Sequence, residues 1–146
     1  MTGESVPAYA GFRCGQLGQA YNETAFRHFL AIERRRAERL NRSLLLILVT
    51  IQESPGRSAT LTDRTAAAIF SGFGACFREV DFVGWYRQGQ VAAALLPQGV
   101  NVSSDVSRLI ARRALLAMKK RLSGDQSENL RVRGVLLCGR SDAYSR

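Results

Sequence analysis

Residues 43–52 read SLLLILVTIQ, and from Leu44 to Val49 every side chain is Leu, Ile or Val. This apolar run falls far short of the roughly 18 residues needed to cross a bilayer. It does not alternate with polar residues. That pattern suits a strand covered on at least one face and flanked on both edges, as in the interior of a sheet.

Upstream, residues 22–41 carry the spacing of a helix. Asn22 can cap its free N–H groups, and Phe26, Phe29, Leu30, Ala37 and Leu40 recur at intervals of three and four. Arg34, Arg35, Arg36 and Arg39, with Glu33 and Glu38, clothe the other faces. Residues 1–21, rich in Gly, Ala and Gln without a sustained period, read as a flexible or loosely docked arm. Downstream, Pro55 and Gly56 mark a loop over residues 53–60. Thr62 then caps a helix running to about Arg78, with a buried stripe of Ala66, Ile69, Phe70, Phe73 and Phe77.

Residues 81–86 and 90–96 form two short strands joined around Arg87, Gln88 and Gly89, where glycine supplies the positive φ of a tight hairpin. Ser104 or Asp105 caps a third helix over residues 106–122, with Leu109, Ile110, Ala114 and Ala117 facing inward. A polar loop at 123–129 leads to a last strand, LRVRGVLLC, at 130–138. After the leading helix the order is β-α-β-β-α-β. The expected fold is therefore α+β, a ferredoxin-like antiparallel-type sheet with helices on one or both faces and an additional N-terminal helix. The domain is expected to span residues 22–139, followed by a tail at 140–146.

The chain has 146 residues, 46% apolar and 23% charged, enough for one core and too few for two. Its net charge of +9, carried almost wholly by arginine, favours nucleic acid, nucleotide or anionic-membrane partners, although a solvated basic surface explains it equally well. Residues 1–19 lack the pattern of a signal peptide, and no membrane insertion is expected. Cys14, Cys76 and Cys138 are odd in number and show no CxxC pairing, which suits free thiols in a reducing cytoplasm.

Three stretches resemble the diguanylate cyclase (GGDEF) domain, a nucleotidyl-cyclase palm with an extra N-terminal helix. FRHFLAIERRRAERLNRSLLLIL at 26–48 is similar to the arginine-rich helix leading into that family's first strand. FREVDFVGWYRQGQVAAALLP at 77–97 looks like the segment holding its signature hairpin, and SRLIARRALLAMKKRL at 107–122 like the helix after it. The resemblance covers Phe26 to Cys138. It implies an enzyme that makes cyclic di-GMP from two GTP molecules, with metal held by aspartates at the end of the first strand and an acidic residue in the hairpin.

The departures are sharper than the match. Residues 44–52 contain no acid, and Thr50 or Gln52 stands where a metal aspartate belongs. In place of Gly-Gly-acid-Glu-Phe the hairpin reads Arg87-Gln88-Gly89-Gln90-Val91 counting forward from Asp81, or Gln88-Gly89-Gln90-Val91-Ala92 counting back from Pro97, in either register without an acid. Magnesium needs hard carboxylate oxygens, Glu53 is the only one nearby, and Arg87 repels the ion. The expectation is a chain without cyclase activity, metal or cofactor, which works by contact with a protein partner or a second copy.

One family feature is retained in pattern. Arg78-Glu79-Val80-Asp81 stands five residues before the hairpin signature, where many of these domains bind cyclic di-GMP as an inhibitor. Guanidinium forks suit phosphates and guanine edges, and Arg108, Arg112 or Arg113 on the next helix could add a cation. A helix-ending arginine and a strand-starting aspartate explain the same pair. His28, the single histidine, has no Cys or acid at ligand spacing. The alternative function is nucleic-acid binding through the basic first and third helices, the latter carrying Arg108, Arg112, Arg113, Lys119, Lys120 and Arg121. The third helix lacks interleaved aromatics for single-stranded bases, and buried aliphatic stems beneath solvated charges account for both helices equally.

Overall fold

A computed structural model describes residues 20–77, 82–97 and 104–138. Helix α1 spans Glu23–Leu40. The Asn22 side chain accepts from the Ala25 N–H at 2.9 Å, as its position foretold. At the other end Asn41 takes the left-handed conformation, φ 55° and ψ 46°, and turns the chain into the sheet. That turn corrects one expectation. Leu40, assigned to the buried stripe, is 61% exposed at the last position of the helix, where the chain turns away; Ala37, one turn earlier, is the last buried residue of the helix.

Strand β1 (Ser43–Ser54) runs two residues beyond its expected end and folds back on the two-residue β2 (Arg57–Ser58) across the Pro55–Gly56 turn. Helix α2 (Asp63–Cys76) is capped by Thr62, whose hydroxyl accepts from the Thr65 N–H at 3.1 Å. Strands β3 (Phe82–Arg87) and β4 (Val91–Pro97) form the expected hairpin, with Gly89 at φ +75°. Helix α3 spans Ser104–Lys119, and the segment read as a polar loop contains a short helix, α4 (Gly124–Glu128). Strand β5 (Leu130–Cys138) closes the fold.

The sheet is antiparallel throughout. β1 pairs with β4 on one side and β5 on the other, and β4 pairs with β3, so β1 is interior as its composition demanded. Alternate β1 residues divide two cores. Leu45, Ile47, Val49 and Ile51 pack with Ile69, Phe70 and Phe73 of α2 and Ala111, Ala114 and Met118 of α3. Leu44 and Leu46 pack with Ala25, Phe26 and Ala37 of α1. Both faces are therefore covered. Tyr21, the last residue of the expected arm, is docked rather than loose: its N–H donates to the Val83 carbonyl at 3.1 Å, and its carbonyl accepts from Trp85 at 2.9 Å.

Helix α3 seats differently from the expectation. Leu109, assigned inward, is 66% exposed, while Ser107, Ala111, Ala114 and Met118 are buried, Met118 against Gly72 of α2. Small side chains let the helix lie close. A Cβ on Gly134 of β5 would stand 3.0 Å from the Ser107 carbonyl oxygen, so glycine permits this approach. The helix also starts earlier than expected, with Ser104 inside it and Asp105 in its first turn.

Candidate functional site

The β3–β4 hairpin tip lies beside the end of β1, since Val49 pairs with Ala92 just beyond the turn. Its backbone closes through Gln90 N–H to the Arg87 carbonyl at 3.0 Å. Two neighbours hold it. The Gly89 carbonyl accepts from Leu61 N–H at 2.7 Å. Gln88 and Glu23, 65 residues apart in sequence, exchange two bonds: Glu23 N–H donates to Gln88 Oε1 at 2.9 Å, and Gln88 N–H donates to Glu23 Oε1 at 2.7 Å.

One turn further along α1, Arg27 Nε donates to the Tyr86 carbonyl at 2.9 Å, and its guanidinium carbon lies 4.3 Å from the centre of the Tyr86 ring. This latch of Glu23, Arg27, Tyr86 and Gln88 was invisible in the sequence, because no local spacing links the start of one helix to a distant turn. Trp85 and Tyr86 divide between the faces as strand alternation requires: Trp85 meets Phe70 edge-on at 5.3 Å, and Tyr86 lies under Arg27.

The oxygen donors around this tip are mostly neutral. Thr50 and Gln52 bring neutral oxygens, Arg87 brings a cation, and Glu53 is exposed and ion-paired with Arg57 at 4.0 Å. Among the described residues no three His, Cys, Asp or Glu side chains gather at one point. A magnesium ion on phosphate uses one or two carboxylates, and the two acids beside this tip are already engaged, Glu53 by Arg57 and Glu23 by Arg27 and the Gln88 N–H.

The arginines assigned to a ligand site separate. Arg78 and Asp81 lie outside the described residues. Arg108 and Arg112, one turn apart on α3, line a groove toward β5, and Arg108 is ion-paired with Asp105 at 3.0 Å. Arg113 acts on another flank, where its charge and that of Arg121 reach Cys76 at the end of α2. Burial pushes the Cys76 thiol above the ordinary thiol range, and the two arginines oppose this only in part.

The GGDEF domain of TpbB (YfiN) from Pseudomonas aeruginosa superposes with a TM-score of 0.57 at 19% identity, covering 85% of this chain and 74% of that one. The fold is that of the diguanylate cyclase GGDEF domains. The GGDEF domain of DgcB from Caulobacter crescentus, in complex with c-di-GMP, gives 0.54 at 17% identity over 86% of this chain and 78% of that one. Diguanylate cyclase SiaD from Pseudomonas aeruginosa, in complex with its activator SiaC, gives 0.57 at 18% identity over 83% of this chain and 47% of that one. No family model and no curated protein matches the sequence. The GGDEF-like fold expected from three sequence stretches is thus present. Among the described residues, no helix is long and apolar enough to cross a membrane.

Proposed function

We propose that this chain is a non-catalytic signalling module of GGDEF-like fold, working by contact with a protein partner and reading cyclic di-GMP at Arg78 and Asp81. One observation carries the reading: at the hairpin tip and the end of β1, where such chemistry needs carboxylates, Thr50, Gln52, Arg87, Gln88, Gly89, Gln90 and Val91 bring none, and the two acids nearby, Glu53 and Glu23, are bonded to Arg57 and to Gln88. The latch between Gln88 and Glu23 supports it, since the tip spends its polar groups on α1. Two structural neighbours lend the ligand and partner classes, one being a complex with c-di-GMP and the other a complex with an activator protein.

Within the ligand part, Arg113 is the α3 arginine assigned to Arg78 and Asp81. Its charge acts on Cys76, two positions before Arg78 in sequence, whereas Arg108 and Arg112 line the groove toward β5. Calorimetry with cyclic di-GMP tests this. Saturable binding to the wild type is expected, weakened about tenfold or more in Arg78→Ala and Arg113→Ala, as for the loss of a charged hydrogen-bond donor. No binding to the wild type removes the ligand; binding indifferent to both variants removes the site.

A further inference from the structure

The two edges of this sheet are treated differently. Along β3 the chain covers its own edge, with Tyr21 hydrogen-bonded to Val83 and Trp85. Strand β5 pairs with β1 along its inner side, from Ile51 opposite Leu130 up to Ser43 opposite Cys138. On its outer side, no backbone hydrogen bond arrives from any other described residue. Val132, Val135, Leu136 and Leu137 remain only half-buried, whereas Leu45, Ile47 and Val49 of neighbouring β1 are fully buried. An apolar strand with an open edge is a template for another strand.

Beside this edge runs a groove of about 660 Å3 between α3 and β5. Leu109, Leu115 and Val132 give it an apolar lining, and Arg108, Arg112 and Arg133 give it charge. The acid in its wall, Asp105, is engaged by Arg108. Arg112 and Arg133 are exposed and have no ion pair among the described residues.

We infer that β5 and this groove receive an extended acidic segment of a partner protein, which adds to the sheet as a further strand. The inference rests on the reading of the chain as a protein-interaction module, and it names the surface and the chemistry of the partner. Main-chain hydrogen bonds would form along β5, apolar side chains would enter the groove against Leu109, Leu115 and Val132, and carboxylates would meet Arg112 and Arg133. Charge selects this occupant over a second copy. Pairing β5 antiparallel with itself about Gly134 would set the two copies' Arg133 side chains on a diagonal and bring no carboxylate to the groove, and like charges close together across strands are destabilising. A nucleic-acid strand is disfavoured because the groove has no aromatic ring on which a base could stack.

The probe is a fluorescein-labelled octapeptide of alternating valine and glutamate, with a valine–lysine octapeptide as control. Anisotropy should reveal saturable binding of the acidic peptide alone, weakened about tenfold or more in Arg112→Glu/Arg133→Glu, as for lost charge pairs at an interface. Both side chains are exposed, and circular dichroism checks that the variant folds. Hydrogen exchange on the wild type should gain protection at alternate β5 amides when the acidic peptide is present. Equal binding of both peptides, indifference to the charge reversal, or protection confined to segments other than β5 would each overturn the proposal. A concentration-dependent dimer that itself protects β5 would overturn it in favour of a second copy. Formation of cyclic di-GMP from GTP by the same preparation would sink the non-catalytic reading alone, and so distinguishes the two failures.

Discussion

Glu23 and Gln88 hold the hairpin tip with two reciprocal hydrogen bonds in exposed positions. Water competes for such groups, so each of Glu23→Ala and Gln88→Ala should cost about 0.5–1.5 kcal/mol in urea unfolding. The double variant should cost less than the sum, because the second change removes a partner already lost. Strict additivity would mean that the latch does not persist in solution. Cys76 makes a separate case. Its thiol is raised by burial, so the folded chain holds that proton more tightly than the unfolded chain does. The stability tied to it is complete below the ordinary thiol range and fades as pH rises into and beyond that range. At about pH 8, alkylation of Cys76 followed by peptide mass spectrometry should run slower than alkylation of glutathione, since the thiolate is the nucleophile. Faster labelling would contradict the assigned environment.

At the level of elements, legibility depended on where the large side chains point. The α2 stripe of Ala66, Ile69, Phe70 and Phe73, followed by Phe77, was readable because its biggest residues are the buried ones. Helix α3 reverses that rule. Its seat is made of Ser107, Ala111, Ala114 and Met118, while Leu109 and Leu116 stand 66% and 53% exposed. A sequence reading that follows leucine therefore rotates the helix wrongly; small residues packed on Gly134 carry no such signal. Thermal or urea unfolding checks the corrected phase. Leu109→Gln should change stability by no more than about 0.5 kcal/mol, as surface substitutions do. Met118→Ala, in contrast, should cost about 2–5 kcal/mol as a core truncation. Gly134→Ala should cost about 1–3 kcal/mol, because the added methyl meets the Ser107 carbonyl at 3.0 Å. A large loss from Leu109→Gln would restore the phase read from sequence.

At the scale of the whole molecule, the strand order and both covered faces follow from one apolar strand flanked by helical and hairpin patterns. The candidate site was legible in a different way. What could be read was the chemistry of single positions: Gly89 and Gln90 where acids are needed, and arginine in excess. What could not be read was convergence, since sequence spacing does not say that the charge of Arg113 acts on Cys76 while Arg108 and Arg112 line the groove toward β5. The central claim is that this fold persists here without the carboxylates that hold a metal on a nucleoside triphosphate. Incubating the chain with GTP and magnesium or manganese, followed by chromatography of the products, tests it most directly. The account predicts unchanged GTP and no cyclic di-GMP; accumulation of cyclic di-GMP that scales with protein concentration would contradict it.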